Sequence, residues 1–170
     1  MSVFKPFVYQ KNIFSIDYDK LKEKGFSLLI FDLDNTIVEI GEELPNEKVC
    51  NLFNRLHKDF KLVIASNNIQ RKVKKIAEYL NCDYLYSMMK PTKRIKKFLD
   101  KRYNIDNNKV AIIGDQIVTD IFVGNRLGIY TILVDPLSNV DFKITSLNRF
   151  LEKKIMKRIG LKKGEYYEKE

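Results

Sequence analysis

Long apolar runs are what this chain most clearly lacks. No stretch approaches the ~20 apolar residues that a bilayer-spanning helix needs, and the opening MSVFKPFVYQKN carries polar and charged residues where a signal peptide has its apolar core. The expected location is therefore the cytoplasm. Cys50, Cys82 and His57 are the whole complement of cysteine and histidine, too few to build a zinc site alone. In a reducing compartment both thiols are expected to stay unbridged. There is no internal repeat, low-complexity tract or Gly/Ser/Pro-rich linker. The 170 residues read as a single domain, 1–170, able to bury roughly two-thirds of its unfolded surface. Two phosphate-binding signatures, G-x-x-x-x-G-K-[ST] and G-x-G-x-x-G, are missing, which counts against a nucleotide switch. Specific nucleic-acid binding is also not expected, since no recognition motif or interleaved aromatics are present.

Charge of one sign is in excess. The net charge is +9, which points to an anionic partner. Lys, Asn, Ile and Tyr have A/T-rich codons and are all plentiful, so the distribution of charge says more than its sum. From Lys143 to Lys163 eight basic residues face one acid, Glu152. A helix at about 145–160 would place Leu147, Phe150, Leu151, Ile155 and Ile159 on one stripe and Arg149, Lys153, Lys154, Lys157 and Arg158 on its other sides. Packing of the stripe on the body of the protein is the simpler reading. Contact of the basic side with an anionic membrane at the inner face is the alternative. Residues 161–170 are expected to form a flexible tail.

Five short apolar runs read as strands buried on both faces: Ser27–Phe31, Lys61–Ala65, Tyr84–Tyr86, Val110–Ile113 and Tyr130–Val134. Helical spacing fills the gaps at Pro45–His57, Ile69–Leu80, Thr92–Tyr103 and Val118–Leu127, the last stopped by Gly128 as C-cap. This alternation predicts an α/β fold, a doubly wound parallel five-stranded sheet. Ligands of such sheets bind beyond the carboxyl ends of the strands, where this chain has Asp32, Ser66, Asp115 and Asp135.

Asp32 and Asp34 are two residues apart where the chain leaves a strand, so their carboxylates can converge. Such convergence is costly without a cation. Mg²⁺ suits it, because it takes oxygen ligands and is often held by one or two carboxylates plus a substrate phosphate. Asp115 can add a ligand, while Lys90 and Ser66 can bind phosphoryl oxygens. A capping or turn role for Asp32 and Asp34 ahead of Pro45 would leave Lys90 and Asp115 as coincidences.

These residues resemble the four sequence blocks of the haloacid dehalogenase (HAD) superfamily phosphatases, in order: Asp32-Leu33-Asp34-Asn35-Thr36, Ser66-Asn67-Asn68, Lys90-Pro91, and Gly114-Asp115-Gln116 with Thr119-Asp120. The phrases GDQIVTDIFVGNRLGIYTILVDP and TSLNRFLEKKIMKR are similar to the YqeG group of HAD subclass III, related to the mitochondrial and plastid phosphatidylglycerophosphatases. The similarity runs from about Pro6 to about Lys163. It implies a HAD-like Rossmannoid fold and a Mg²⁺-dependent phosphomonoester hydrolase. Asp32 would be the nucleophile that forms an aspartyl-phosphate, and Asp34 the general acid/base. The implied metal set is Asp32, Asp34 and Asp115. Ser66, Asn67 and Lys90 would bind the substrate phosphate, and Thr36 and Asp120 would support the site.

No cap domain is expected: Ile37–Leu44 is too short to hold one, and one helix fills the space between Lys90 and Asp115. An open site admits a phosphate on a large or lipid-linked molecule. Phosphatidylglycerophosphate is the candidate substrate that the resemblance suggests; a soluble or macromolecular phosphomonoester keeps the same chemistry. A receiver-like, phosphorylation-controlled binding module is the rival of another class. It would place its acceptor Asp at the end of the third strand, where this chain has Ser87. Arg71 and Arg126 are read either as substrate-orienting or as surface charges, and His57 has no partner in view.

Overall fold

The computed structural model describes residues 2–86, 93–104, 106–138 and 143–168, without the side chains of 93–94 and 143–150. Seven strands make one sheet: β1 Val8–Gln10, β2 Leu28–Phe31, β3 Lys61–Ser66, β4 Asp83–Tyr86, β5 Val110–Gly114, β6 Tyr130–Val134 and β7 Tyr167–Glu168. Their spatial order is β4-β3-β2-β5-β6-β1-β7. All neighbours run parallel except β7, which is antiparallel to β1. The five expected strands are the contiguous block from β4 to β6. The other two are three and two residues long, too short to show a period; pairing fixes them, with Val8 opposite Ile132 and Tyr9 opposite Tyr167.

Alternation across the strands sorts the core into two faces. Leu29, Phe31, Leu62, Ile64, Ala111 and Ile113 pack with α1 (Tyr18–Glu23), α2 (Glu47–Leu56) and α3 (Gln70–Tyr79). Leu28, Ile30, Val63, Ala65 and Ile112 face the opposite way and meet Ile95 and Leu99 of α4 (Lys93–Arg102), with Val123 and Leu127 of α5 (Phe122–Leu127) packed alongside. Both faces are therefore apolar, which is why LLIF in β2 reads as a continuous run. The third residue of α2 shows how local chemistry supports this packing: Val49 N–H donates to the Asn46 side chain at 3.1 Å, a cap contributing about 1 kcal/mol. Four apolar residues on the same helix are buried, each contributing roughly 1.5–3 kcal/mol before ordering costs.

The last helix, α6 (Lys143–Ile159), packs Ile155, Met156 and Ile159 against Tyr9, Ile117, Ile121, Leu133 and Leu161. Its inward stripe differs from the expected one. Leu151 is 46% exposed, whereas Glu152 is 5% exposed, so positions 152, 155, 156 and 159 face the body. Leu147, Arg149 and Phe150 lie outside the described side chains. The expected flexible tail is also corrected as far as residue 168. Leu161 is buried, β7 joins the sheet, Tyr167 Oη donates to Pro6 O at 3.1 Å, and Glu168 pairs with Lys20 and Lys24 at 2.9 and 3.2 Å. Among the described residues no helix is long and apolar enough to cross a membrane, and no element is interposed between β2 and α2.

The fold also places the ligand crevice. From β2 the chain goes to β3 on one side, and only later fills β5 on the other. The carboxyl ends of β2 and β5 therefore flank the point where strand order reverses.

Candidate active site

Asp32 follows β2 directly, and its N–H donates to Ile113 O at 2.8 Å, extending the β2–β5 ladder to this residue. The chain then turns sharply over Leu33, whose side chain is fully buried. The Leu33 carbonyl accepts from Ile37 N at 2.9 Å and Val38 N at 3.1 Å, and Asn35 N donates to Val38 O at 2.7 Å. The turn requires a left-handed residue, and Asn35 has φ 64°, a region that asparagine tolerates better than most. Asn35 also ties this turn to the loop after β6: its carbonyl accepts from Leu137 N at 2.9 Å and its Oδ1 from the Ser138 hydroxyl at 2.9 Å. Thr36 is buried, with Oγ1 3.4 Å from Asp32 Oδ2.

Asp115 leaves β5 beside Asp32. Next comes a π-helical turn, Ile117–Ile121, before α5 begins. Such a wide turn adds a residue to the helical register and often sits at a functional site. Here it swings Asp120 back over the end of β5. The fit is close enough to exclude any side chain at Gly114: a Cβ there would lie 2.2 Å from Asp120 Oδ2 and 2.3 Å from its Cγ. Asp120 Oδ2 accepts from Gln116 N at 3.1 Å. On its other side Glu152 reaches in from α6 and accepts from Ile117 N at 2.7 Å.

One carboxylate oxygen from each of Asp32, Asp115 and Asp120 lies within 4.8 Å of the other two. Asp115 and Asp120 are buried, and Asp32 keeps part of its surface exposed. Burial pushes the Asp32 carboxyl well above the usual carboxylate range, and the charges of Asp120, Asp115 and Asp34 push it the same way. Burial likewise raises Asp120, followed by the charge of Asp115. Three acids in mutual repulsion, two of them buried, cost stability, and a divalent cation would relieve that cost. An all-oxygen donor set suits a hard ion such as Mg²⁺.

The side chain of Asp34, expected among the metal ligands, is not one of the three that converge. Its Oδ1 accepts from Lys72 Nζ at 2.7 Å and its Oδ2 from Asn68 Nδ2 at 2.9 Å. Asp120 joins Asp32 and Asp115 because the π-helical turn aims it inward, while the turn over Leu33 aims the Asp34 side chain toward α3. Asn68 stood in the second sequence block without an assigned role, and Lys72 did not stand out in the sequence. Lys72 left a faint signal, since a lysine in the first turn of a helix opposes the helix dipole unless a carboxylate faces it.

Ser66 ends β3, is buried, and accepts from Asn68 N at 3.0 Å. It closes a local turn and does not cap α3, whose preceding residue is Ile69. Asn67 is exposed. Lys90 lies outside the described residues. Arg71 is exposed, Arg126 sits over the Phe122 ring at 5.5 Å, and His57 Nε2 contacts Leu80 O at 2.8 Å. His57 is thus part of the packing on α3, away from the acidic cluster.

The whole acidic cluster falls within residues 1–138, which match the model of the mitochondrial PGP phosphatase family. The chain belongs to that family. It is 35% identical to the probable phosphatase YqeG of Bacillus subtilis (strain 168) over 160 residues, covering 94% of this chain and 93% of that one. It is 28% identical to phosphatidylglycerophosphate phosphatase 1, chloroplastic/mitochondrial, of Arabidopsis thaliana, spanning 94% of this chain and 49% of that protein. Among solved structures, the cobalt-bound form of deoxy-D-mannose-octulosonate 8-phosphate phosphatase from Haemophilus influenzae shares the fold. Its TM-score is 0.52 at 13% identity, covering 82% of this chain and 92% of that one. As a member of that family the chain is a phosphatase, and its fold is the haloacid dehalogenase-like one that its four sequence blocks imply.

Proposed function

We propose that the protein is a Mg²⁺-dependent phosphomonoester hydrolase acting through an aspartyl-phosphate on Asp32, with phosphatidylglycerophosphate as the candidate substrate. The convergence of Asp32, Asp115 and Asp120 at the open end of the sheet carries this reading. Asp32, Asp115 and Asp120 would hold the ion, which when bound supplies positive charge against the phosphoryl oxygens.

The remaining steps belong to the chain itself. Asp32 attacks phosphorus as the bond to the leaving oxygen breaks, dividing one slow displacement into two faster ones. Asp34 gives a proton to the leaving oxygen and later takes one from the water that attacks the aspartyl-phosphate. Lys72 and Asn68 orient Asp34 for both steps. Ser66, Asn67 and Lys90 are the proposed contacts to the substrate phosphate, and Thr36 supports Asp32. The absence of an inserted cap among the described residues leaves the crevice open to a phosphate on a bulky carrier.

The lipid substrate is favoured by the family match and by the relative from Arabidopsis. Exposed Lys153, Lys154, Lys157 and Arg158 support contact of α6 with an anionic membrane surface, and a cytoplasmic enzyme working at the inner face fits both. A receiver-like role is disfavoured by the acids gathering after β2 and β5, away from β4.

The test is turnover of phosphatidylglycerophosphate and a panel of soluble phosphomonoesters, with Mg²⁺ and with chelator, for wild type and Asp32→Asn. Metal-dependent turnover that vanishes in the variant is expected. Undiminished turnover in Asp32→Asn rejects the nucleophile, and reaction of soluble compounds alone rejects the lipid.

A further inference from the structure

Beside the acidic cluster, a groove of about 620 Å³ runs between the end of β6 and α6. Asp115 lines its inner end, so the groove is continuous with the candidate active site. Its floor is apolar, formed by Ile117, Leu133, Met156 and Leu161, while Lys153, Lys157, Lys162 and Lys163 stand around it.

The acids that share the groove are already engaged. Asp115 faces Asp32 and Asp120. Asp135 accepts from Tyr9 Oη at 2.5 Å and from Tyr166 Oη at 2.7 Å, and Glu152 accepts from Ile117 N. Lys162 pairs with Glu165 at 3.1 Å. Among the described residues Lys153, Lys157 and Lys163 make no ion pair, and all three are exposed. The Asp135 clamp, with Gly164 N donating to Tyr9 Oη at 3.4 Å, holds the segment after α6 in place as one wall. The groove is thus a built, basic-rimmed channel leading away from the reacting centre.

We propose that this groove binds the part of the substrate beyond the scissile phosphate, with Lys153, Lys157 and Lys163 recognising a second, diester phosphate and the Met156 and Leu161 floor receiving the apolar segment that follows. This rests on the phosphatase reading above and deepens it. The lysines would then determine specificity for the class of phosphomonoesters that carry a phosphodiester a few bonds away, whether lipid-linked or deacylated.

Three substrates separate the possibilities: glycerol 3-phosphate, which has no second phosphate; glycerophosphoglycerol phosphate, which has one; and the dihexanoyl ester of the latter. The expected result is a higher kcat/KM for the two diester compounds than for glycerol 3-phosphate. That preference should fall about tenfold, mainly through KM, when Lys153, Lys157 and Lys163 are all changed to Gln, as suits three exposed charge contacts. The apolar floor predicts that the dihexanoyl ester is the better diester substrate; an ester no better than the deacylated compound rejects the role of Met156 and Leu161 and points to a deacylated source read by the lysines alone. A preference unchanged in the triple variant, with its circular dichroism intact, overturns the proposal. Calorimetric titration with glycerophosphoglycerol, which has the diester and nothing to hydrolyse, reads the groove apart from catalysis: its Kd should weaken about tenfold in the same variant. Binding of glycerophosphoglycerol that needs the lysines, in a protein that hydrolyses no phosphomonoester, would sink the phosphatase reading and leave the groove standing.

Discussion

Asp120→Asn removes one charge from the acidic cluster and almost nothing else, because an amide oxygen can still accept from Gln116 N. Two full charges 4.8 Å apart, the outer limit of the cluster, repel by about 3.5 kcal/mol at an effective dielectric of ~20. Protons held by the raised carboxyls relieve part of that, so about 2 kcal/mol is the expected gain for the metal-free protein. At roughly 2–4 °C per kcal/mol for a chain of this size, its Tm in chelator near neutral pH should rise about 4–8 °C. Magnesium should act in the opposite direction on the comparison. A ligand at a hundred times its Kd adds about 2.7 kcal/mol, so wild type should gain Tm with Mg²⁺ and the variant should gain much less. Thermal unfolding followed by circular dichroism, with chelator and then with Mg²⁺, reads both effects. A variant no more stable than wild type in chelator would refute the picture of three acids held together at a cost.

Four other outcomes follow from the same geometry. Because the folded-state pKa values of Asp32 and Asp120 are raised, their contribution is most favourable at low pH and is lost as pH rises from about 4, the ordinary carboxylate value, toward the raised ones; metal-free wild type should lose Tm over that range, and Asp120→Asn should lose less. Gly114→Ala drives a methyl into Asp120 and should destabilise by about 1–3 kcal/mol while abolishing the Mg²⁺-induced rise in Tm. Lys72→Met, which frees Asp34 Oδ1, should lower kcat about tenfold through lost positioning, with Lys72→Arg restoring most of it in steady-state assays. Tyr9→Phe breaks the buried end of the Asp135 clamp and should lower stability in urea unfolding by about 1–3 kcal/mol.

The alternation of apolar runs and amphipathic segments was legible along the chain because burial on both faces of a parallel sheet leaves no gaps in LLIF or LVIA. Asp32 and Asp115 were legible for a related reason: each is the first acid after such a run. Asp120 was harder to rank, since a helix through Val118–Leu127 would leave its direction open. Only the π-helical turn, with Gly114 lacking a Cβ, turns it onto the cluster. The contacts of Asn68 and Lys72 with Asp34 were missed because that partner is 34 and 38 residues away in sequence.

Local periodicity in the sequence determined the five central strands, the helices from α2 onward and the strand ends where chemistry collects. Tertiary structure decided which carboxylates meet, that Glu152 faces inward while Leu151 does not, and that β7 closes onto β1. Period and composition report the environment of one residue at a time. The direction of a side chain at the end of a strand depends on turns and on partners brought from distant parts of the chain.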